Sequence, residues 1–150
     1  MAKPAFIILG IFQIVSGLVL LGIWSKLVND SVSPFYTEPS TNAALAGHLL
    51  ICFIIIASGI LALLTSSKKM EVLYVISAAV SATVSAAMLW NNATTLGSCL
   101  SSFHYYNFFD FYRCRNALAY ELTATSLAFS TISLIASLVG TITTALSACK

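Results

Sequence analysis

Apolar residues run almost without interruption through four stretches of the chain, and polar residues collect between them. The tightest instance is a hairpin. Gly47 to Leu64 is almost wholly apolar, Thr65-Ser66-Ser67-Lys68-Lys69-Met70-Glu71 is short and polar, and Val72 to Trp90 is apolar again. About 20 residues of helix, rising 1.5 Å each, cross a hydrocarbon core of about 30 Å. The pattern predicts two antiparallel membrane spans, joined by a link too short to form a domain, with Lys68 and Lys69 in water at one face.

One further span flanks the hairpin on each side. Ala5 to Trp24 follows the short start Met1-Ala2-Lys3-Pro4. It is longer than the ~7–15-residue apolar core of a secretory signal and ends in Gly22-Ile23-Trp24-Ser25-Lys26, so it reads as a retained span. Pro4 suits a first helical turn, where its missing N–H costs nothing, and Trp24 falls where an interfacial anchor belongs. Asn29, Asp30, Ser31, Ser33, Pro34, Pro39, Ser40 and Asn42 are turn formers and predict a loop. The expected fold is all-α: an integral membrane four-helix antiparallel bundle forming one domain over 1–150. Its spans fall at about 5–27, 43–65, 72–90 and 121–148, its outer loops at 28–42 and 91–120, and both termini are cytoplasmic.

Composition supports the membrane class. Hydrophobic residues make up 59% of the chain and charged residues 8%, against roughly 25% charged in soluble domains. The mean hydropathy is +0.93. A net charge of +2 is too small to point to a nucleic-acid partner. Lys3, Lys68, Lys69 and Lys150 fall on the face of the termini, and Lys26, Arg113 and Arg115 on the other, a small bias toward cytoplasmic termini. Asn29-Asp30-Ser31 and Asn92-Ala93-Thr94 are sequons on the outer side, which makes Asn29 and Asn92 candidate glycosylation acceptors beside the membrane boundary.

Within lipid, helices associate through close backbone approach and polar contacts. Ser77, Ser81 and Ser85 recur every four residues, as do Ala78, Ala82 and Ala86, giving a small-residue ridge on the third span. Gly10, Ser16, Gly17 and Gly22 serve the first span, Gly47, Ala57, Ser58 and Gly59 the second, and Ser126, Ser130, Ser133, Ser137 and Gly140 the fourth. These ridges pack the bundle, and one left over would form a homodimer face. Gln13, strongly polar and deep in the first span, should point inward to a Ser or a backbone carbonyl. His48 reads as an interfacial residue. No Asp, Glu, Lys or Arg lies well inside any span, where pumps, proton relays and charge-selective pores usually place one. No catalytic set, metal site or cofactor site is expected, since Glu71, Asp110 and Glu121 lie in three different polar segments.

The segment from Ser98 to Cys114 is the most distinctive. Cys99 and Cys114 bracket it, and a disulfide between them fits an oxidising compartment. A zinc site would need more ligands than His104 supplies. Between the cysteines Phe103, Tyr105, Tyr106, Phe108, Phe109, Phe111 and Tyr112 form an aromatic patch. It fits first a loop folded onto its own bundle and the headgroup zone, and second a partner-binding surface, and the two do not exclude each other. Cys52 reads as an apolar filler, and Cys149, beside Lys150, as a juxtamembrane palmitoylation candidate.

Leu9-Gly10-Ile11-Phe12-Gln13-Ile14-Val15-Ser16-Gly17-Leu18 resembles the Leu-Gly-x-x-Gln-Ile-x-x-Gly-Leu pattern of the membrane-spanning four-domain subfamily A, the family of the B-cell surface antigen and the IgE receptor beta chain. Ile56-Ala57-Ser58-Gly59-Ile60-Leu61 resembles its Ile-Ser-Gly-Ser-Leu stretch, Lys68-Lys69 its basic inner turn, and Ser147-Ala148-Cys149-Lys150 its closing Phe-Gly-Cys-Lys. A cysteine pair in the second outer loop also fits. The chain departs at Ala46-Gly47-His48, where the family has a Pro-x-Trp-like run, and at Thr65-Ser66-Ser67, which lacks the acidic residue usual before the basic turn. Tetraspanins and claudins are less similar, lacking here Cys-Cys-Gly and the Trp…Gly-Leu-Trp…Cys…Cys pattern respectively. The resemblance implies a non-enzymatic cell-surface protein of the plasma membrane, a homo-oligomer with a dimer favoured, which associates with receptors or other membrane proteins to modulate signalling or trafficking. The alternative expectation is a calcium-permeable channel or channel component.

Overall fold

The computed structural model describes residues 3–31, 39–101, 114 and 117–148. These residues form four long helices and no strand: α1 (Pro4–Ser31), α2 (Pro39–Leu63), α3 (Lys68–Ser101) and α4 (Ala117–Ala148). Each is long and apolar enough to cross a membrane. α1 packs against α2 and α4, and α3 packs against the same two, so the helices close into a four-sided bundle.

The buried positions explain the packing. On α1 they include Phe6, Gly10, Gln13, Gly17, Leu20, Trp24 and Leu27. On α3 they include Tyr74, Ala78, Ser81, Ser85, Met88, Asn92 and Thr95, and on α4 Ala119, Thr123, Ser126, Ser130, Ser133, Ser137, Gly140 and Thr144. α2 contributes His48, Cys52, Ile55, Gly59 and Ala62. In all four helices these positions step alternately by three and four, and Ser16, Ile23, Ser58, Ala82 and Ala136 beside them widen the buried face. This 3.5-residue period keeps one face inward along the whole length and favours left-handed crossings near +20°. The sequence reading took the repeat of α3 as every fourth residue. Ser81 and Ser85 are buried, but Ser77 is half-buried and turned toward Ser58 of α2.

The helices run beyond the expected spans at several ends. α3 begins at Lys68 rather than at 72. Ser67 caps it, its hydroxyl accepting from Met70 N–H at 3.4 Å and its carbonyl from Glu71 N–H at 3.0 Å. Thr65 closes the end of α2 by donating to the Ala62 carbonyl at 2.7 Å. The segment from 91 reads as loop from its Asn, Thr and Gly, yet α3 runs to Ser101. Asn92 and Thr95 continue the buried face, and Thr94 and Thr95 donate their hydroxyls back to carbonyls of the preceding turn. Packing thus overrides local propensity. α2 starts at Pro39 rather than 43, α1 runs on to Ser31, and α4 starts at Ala117 with Ala119 buried.

The core has three levels. Phe6, Ala62, Tyr74 and Ala78 fill the end near Lys3, with Phe6 edge-on to Tyr74 at 5.5 Å. Leu20, Ile23, Trp24, Leu27, Cys52, Ile55, Met88 and Ala119 fill the opposite half. Side-chain hydroxyls and amides occupy the middle.

Candidate functional site

The middle level is built around Gln13. Its Nε2 donates to Ser137 Oγ at 2.9 Å, and Ser137 Oγ donates onward to Ser81 Oγ at 3.0 Å. On the other side Ser58 Oγ lies 3.5 Å from Gln13 Oε1, and Ser77 Oγ lies 3.5 Å from Ser58 Oγ. The first two distances are those of full hydrogen bonds and the last two lie at the outer limit. Gln13 is therefore tied more firmly to α4 than to α2. Ser85 and Ser133 pair at 2.9 Å one step further along.

A second node repeats the first in the other half of the bundle. Ser126 Oγ accepts from Trp24 Nε1 at 3.2 Å and from Asn92 Nδ2 at 2.9 Å. At each node a serine of α4 takes a hydrogen bond from α1 and is bonded to α3. The His48 ring stacks on Trp24 at 3.8 Å with 25° between planes, and Cys52 Sγ donates to the His48 carbonyl at 3.1 Å. Ser130, Thr123 and Thr144 donate to backbone carbonyls of their own helix. The sides of the seam are sealed by close approach. A Cβ on Gly59 would lie 2.8 Å from the Gly10 carbonyl oxygen, and one on Gly17 would lie 2.6 Å from Ile56 Cγ1.

Three placements correct the sequence reading. Trp24, expected at the interface, has 0% exposure and sits inside the bundle. An indole needs a hydrogen-bond acceptor when buried, and Ser126 supplies it. His48, also expected at the interface, is buried against that indole. Asn92, expected as a glycan acceptor, is fully buried in α3 with its amide nitrogen donating to Ser126, so the sequon there reads as a structural asparagine. Asn29 is exposed near the end of α1.

Gly17, Ser77, Ser81 and Ser85 make contacts between helices of one chain. Cys99 and Cys114 are joined by a disulfide, with Cα atoms 5.2 Å apart. The aromatic patch Phe103, Tyr105, Tyr106, Phe108, Phe109, Phe111 and Tyr112 lies outside the described residues, as do His104 and Cys149. The roles of Trp24 and Asn92 went unread because each looked like a boundary residue. The signal that finds them is the three-four alternation, in which both fall on the inward face.

Chemically, the seam holds neutral donors and acceptors, most of them paired across helices, while Asn92 Oδ1 and the Tyr74 hydroxyl are buried without a partner among the described residues. No Asp, Glu, Lys or Arg is among the buried side chains of the described residues. Among the described residues no group of three His, Cys, Asp or Glu is placed to share a metal ion. No family model matches the chain, and neither a curated protein nor a solved structure matches it.

Proposed function

We propose that this is a multi-pass membrane protein of the plasma membrane, built as four antiparallel helices with cytoplasmic termini, that acts by lateral association rather than by catalysis. The contacts between helices support the antiparallel reading, because residue numbers rise on one helix as they fall on its neighbour: Gly10 lies against Gly59, Trp24 against His48, Ser81 against Ser137 and Asn92 against Ser126. The lysine distribution supports the orientation.

The observation that carries the reading is the closed polar seam. The Gln13, Trp24 and Asn92 donors and the serines they meet are engaged with one another across the helices, which leaves the outer faces as the surfaces to meet other molecules. Those faces carry Ile8, Phe12, Leu50, Phe53, Ile76 and Ile135, all well exposed in the isolated chain. A homodimer, or a complex with a receptor or another membrane protein, would form across such a face and modulate signalling or trafficking. The resemblance to the membrane-spanning four-domain subfamily A points to the same class. Crosslinking of the chain in native membranes, followed by purification in mild detergent, tests this. A dimer or a reproducible partner is expected, and a strictly monomeric particle with no partner recovered contradicts it.

A second reading has one observation in its favour. The hydroxyls of α3 and α4 follow one another from Thr144 to Thr123, and such a seam is the natural lining of a conducting path if the helices part. It predicts cation flux, calcium included, in reconstituted vesicles, altered by substitution of Gln13 or Ser137. Absence of flux removes it.

A further inference from the structure

The start of α3 and the end of α4 enclose a groove of about 420 Å³ on the outside of the bundle. Val72, Val75, Ile76, Ala145 and Thr144 form its walls, and Lys68, Glu71 and Ser147 its rim. Val72 and Ile76 are 59% and 58% exposed in the isolated chain. Ile76 lies eight residues beyond Lys68, or about 12 Å along the helix at 1.5 Å per residue. The groove thus begins at the level where Lys68 and Lys69 stand in water and descends along an apolar wall.

The charges at the rim do not cancel. Glu71 is countered by Lys3, whose ammonium lies 3.4 Å from Glu71 Oε1. The Lys68 ammonium makes no ion pair or hydrogen bond among the described residues, and Lys68 lines the groove. The positive end of the α3 dipole lies at the same place. A second opening, lined by Lys3, Thr143, Leu146 and Ser147, adjoins it across the last turn of α4. A cationic rim above an apolar trough is complementary to a molecule with an anionic head and a hydrocarbon tail.

We propose that this groove seats an anionic phospholipid, its phosphate against Lys68 and one acyl chain along Val72, Val75, Ile76 and Ala145. The inference rests on the membrane-spanning reading above, since only a bilayer presents such a molecule at this height. The lipid holds the ends of α3 and α4 together at the face where the chain carries Lys3, Lys68 and Lys69.

The test uses the full chain in nanodiscs of equimolar phosphatidylcholine and phosphatidylserine, released into detergent and weighed by native mass spectrometry. The wild-type chain is expected to retain phosphatidylserine in preference to phosphatidylcholine. Lys68→Gln should lower that retention about fivefold, in line with one lysine at an anionic surface. Ala145→Leu, which fills the trough and leaves the charge alone, should lower it too, while Lys69→Gln lowers it less than Lys68→Gln. Equal retention of both lipids overturns the proposal, as does retention of phosphatidylserine unchanged by Lys68→Gln and Ala145→Leu. Displacement by glycerophosphoserine, which has the headgroup and no chains, would show a phosphate site rather than a lipid groove and also overturns it. A chain that fails to enter nanodiscs overturns the membrane reading itself; one that enters but prefers no lipid overturns this inference alone.

Discussion

Ser126 and Ser137 stand eleven residues apart on α4, and each accepts a hydrogen bond from a side chain of α1: Ser126 from Trp24, Ser137 from Gln13. The donors are also eleven residues apart, and so are Asn92 and Ser81, the α3 partners. Eleven residues are close to three turns of helix, about 16 Å. One polar junction is therefore used twice along the bundle.

The two junctions should be energetically separate. Gln13→Leu and Trp24→Phe are each expected to destabilise the bundle by about 0.6–1.7 kcal/mol, the range for polar contacts between membrane helices. Gln13→Leu should couple to Ser137→Ala, and Trp24→Phe to Ser126→Ala. Gln13→Leu combined with Ser126→Ala should be additive within about 0.5 kcal/mol. Unfolding of these double-mutant cycles in mixed micelles measures all three couplings.

The glycines should divide into two groups. Gly59→Ala places a Cβ 2.8 Å from the Gly10 carbonyl oxygen and must separate α1 from α2, so thermal stability should fall clearly. Gly22 and Gly47 have nothing within 4 Å of an added Cβ. Gly22→Ala and Gly47→Ala are expected to be neutral or to stabilise by up to about 1 kcal/mol through helix propensity. Melting of the four proteins in one detergent compares them directly.

Tyr74 offers a rescue experiment. Its hydroxyl is buried without a hydrogen-bond partner among the described residues and packs against Gly140. Removing an unsatisfied buried group is close to neutral or stabilising. Tyr74→Phe should leave stability unchanged or raised by about 1 kcal/mol. It should also recover part of the loss caused by Gly140→Ala, whose Cβ would meet that hydroxyl. Thermal melts of the single and double variants test both statements.

The Cys99–Cys114 bridge spans a sequence separation of 15 residues. On the chain-entropy account, closing a loop of this size contributes about 3 kcal/mol. Cys114→Ser should lower stability by an amount of that order and abolish the difference in gel mobility between reduced and non-reduced protein. Glycosylation gives a second readout on the same side. Any shift removed by endoglycosidase should be lost in Asn29→Gln and should not depend on Asn92.

The sequence made the helices legible more readily than their faces. Uninterrupted apolar runs mark where a chain can cross a bilayer, and all four appear as helices. Their ends were harder to read, because Asn91, Asn92, Thr94, Thr95 and Gly97 carry turn propensities that contact with α4 outweighs. In lipid both faces of a helix are apolar, so hydropathy does not show which face points inward. Small and polar residues carry that information. Gln13 announced its direction by the cost of exposing an amide to hydrocarbon. Trp24 and Asn92 did not, since a tryptophan or asparagine near a span end is equally at home in the headgroup region.

The most direct test of the closed, membrane-embedded bundle is the reactivity of cysteines placed along the seam. In a background with Cys52→Ala and Cys149→Ser, the chain in sealed vesicles is treated with a charged, membrane-impermeant thiol reagent. Ser85→Cys and Ser137→Cys should stay unlabelled, while Lys69→Cys is labelled quickly when its side of the membrane is exposed. Labelling of Ser85→Cys and Ser137→Cys at a rate comparable with Lys69→Cys would show water running through the bundle and contradict the account.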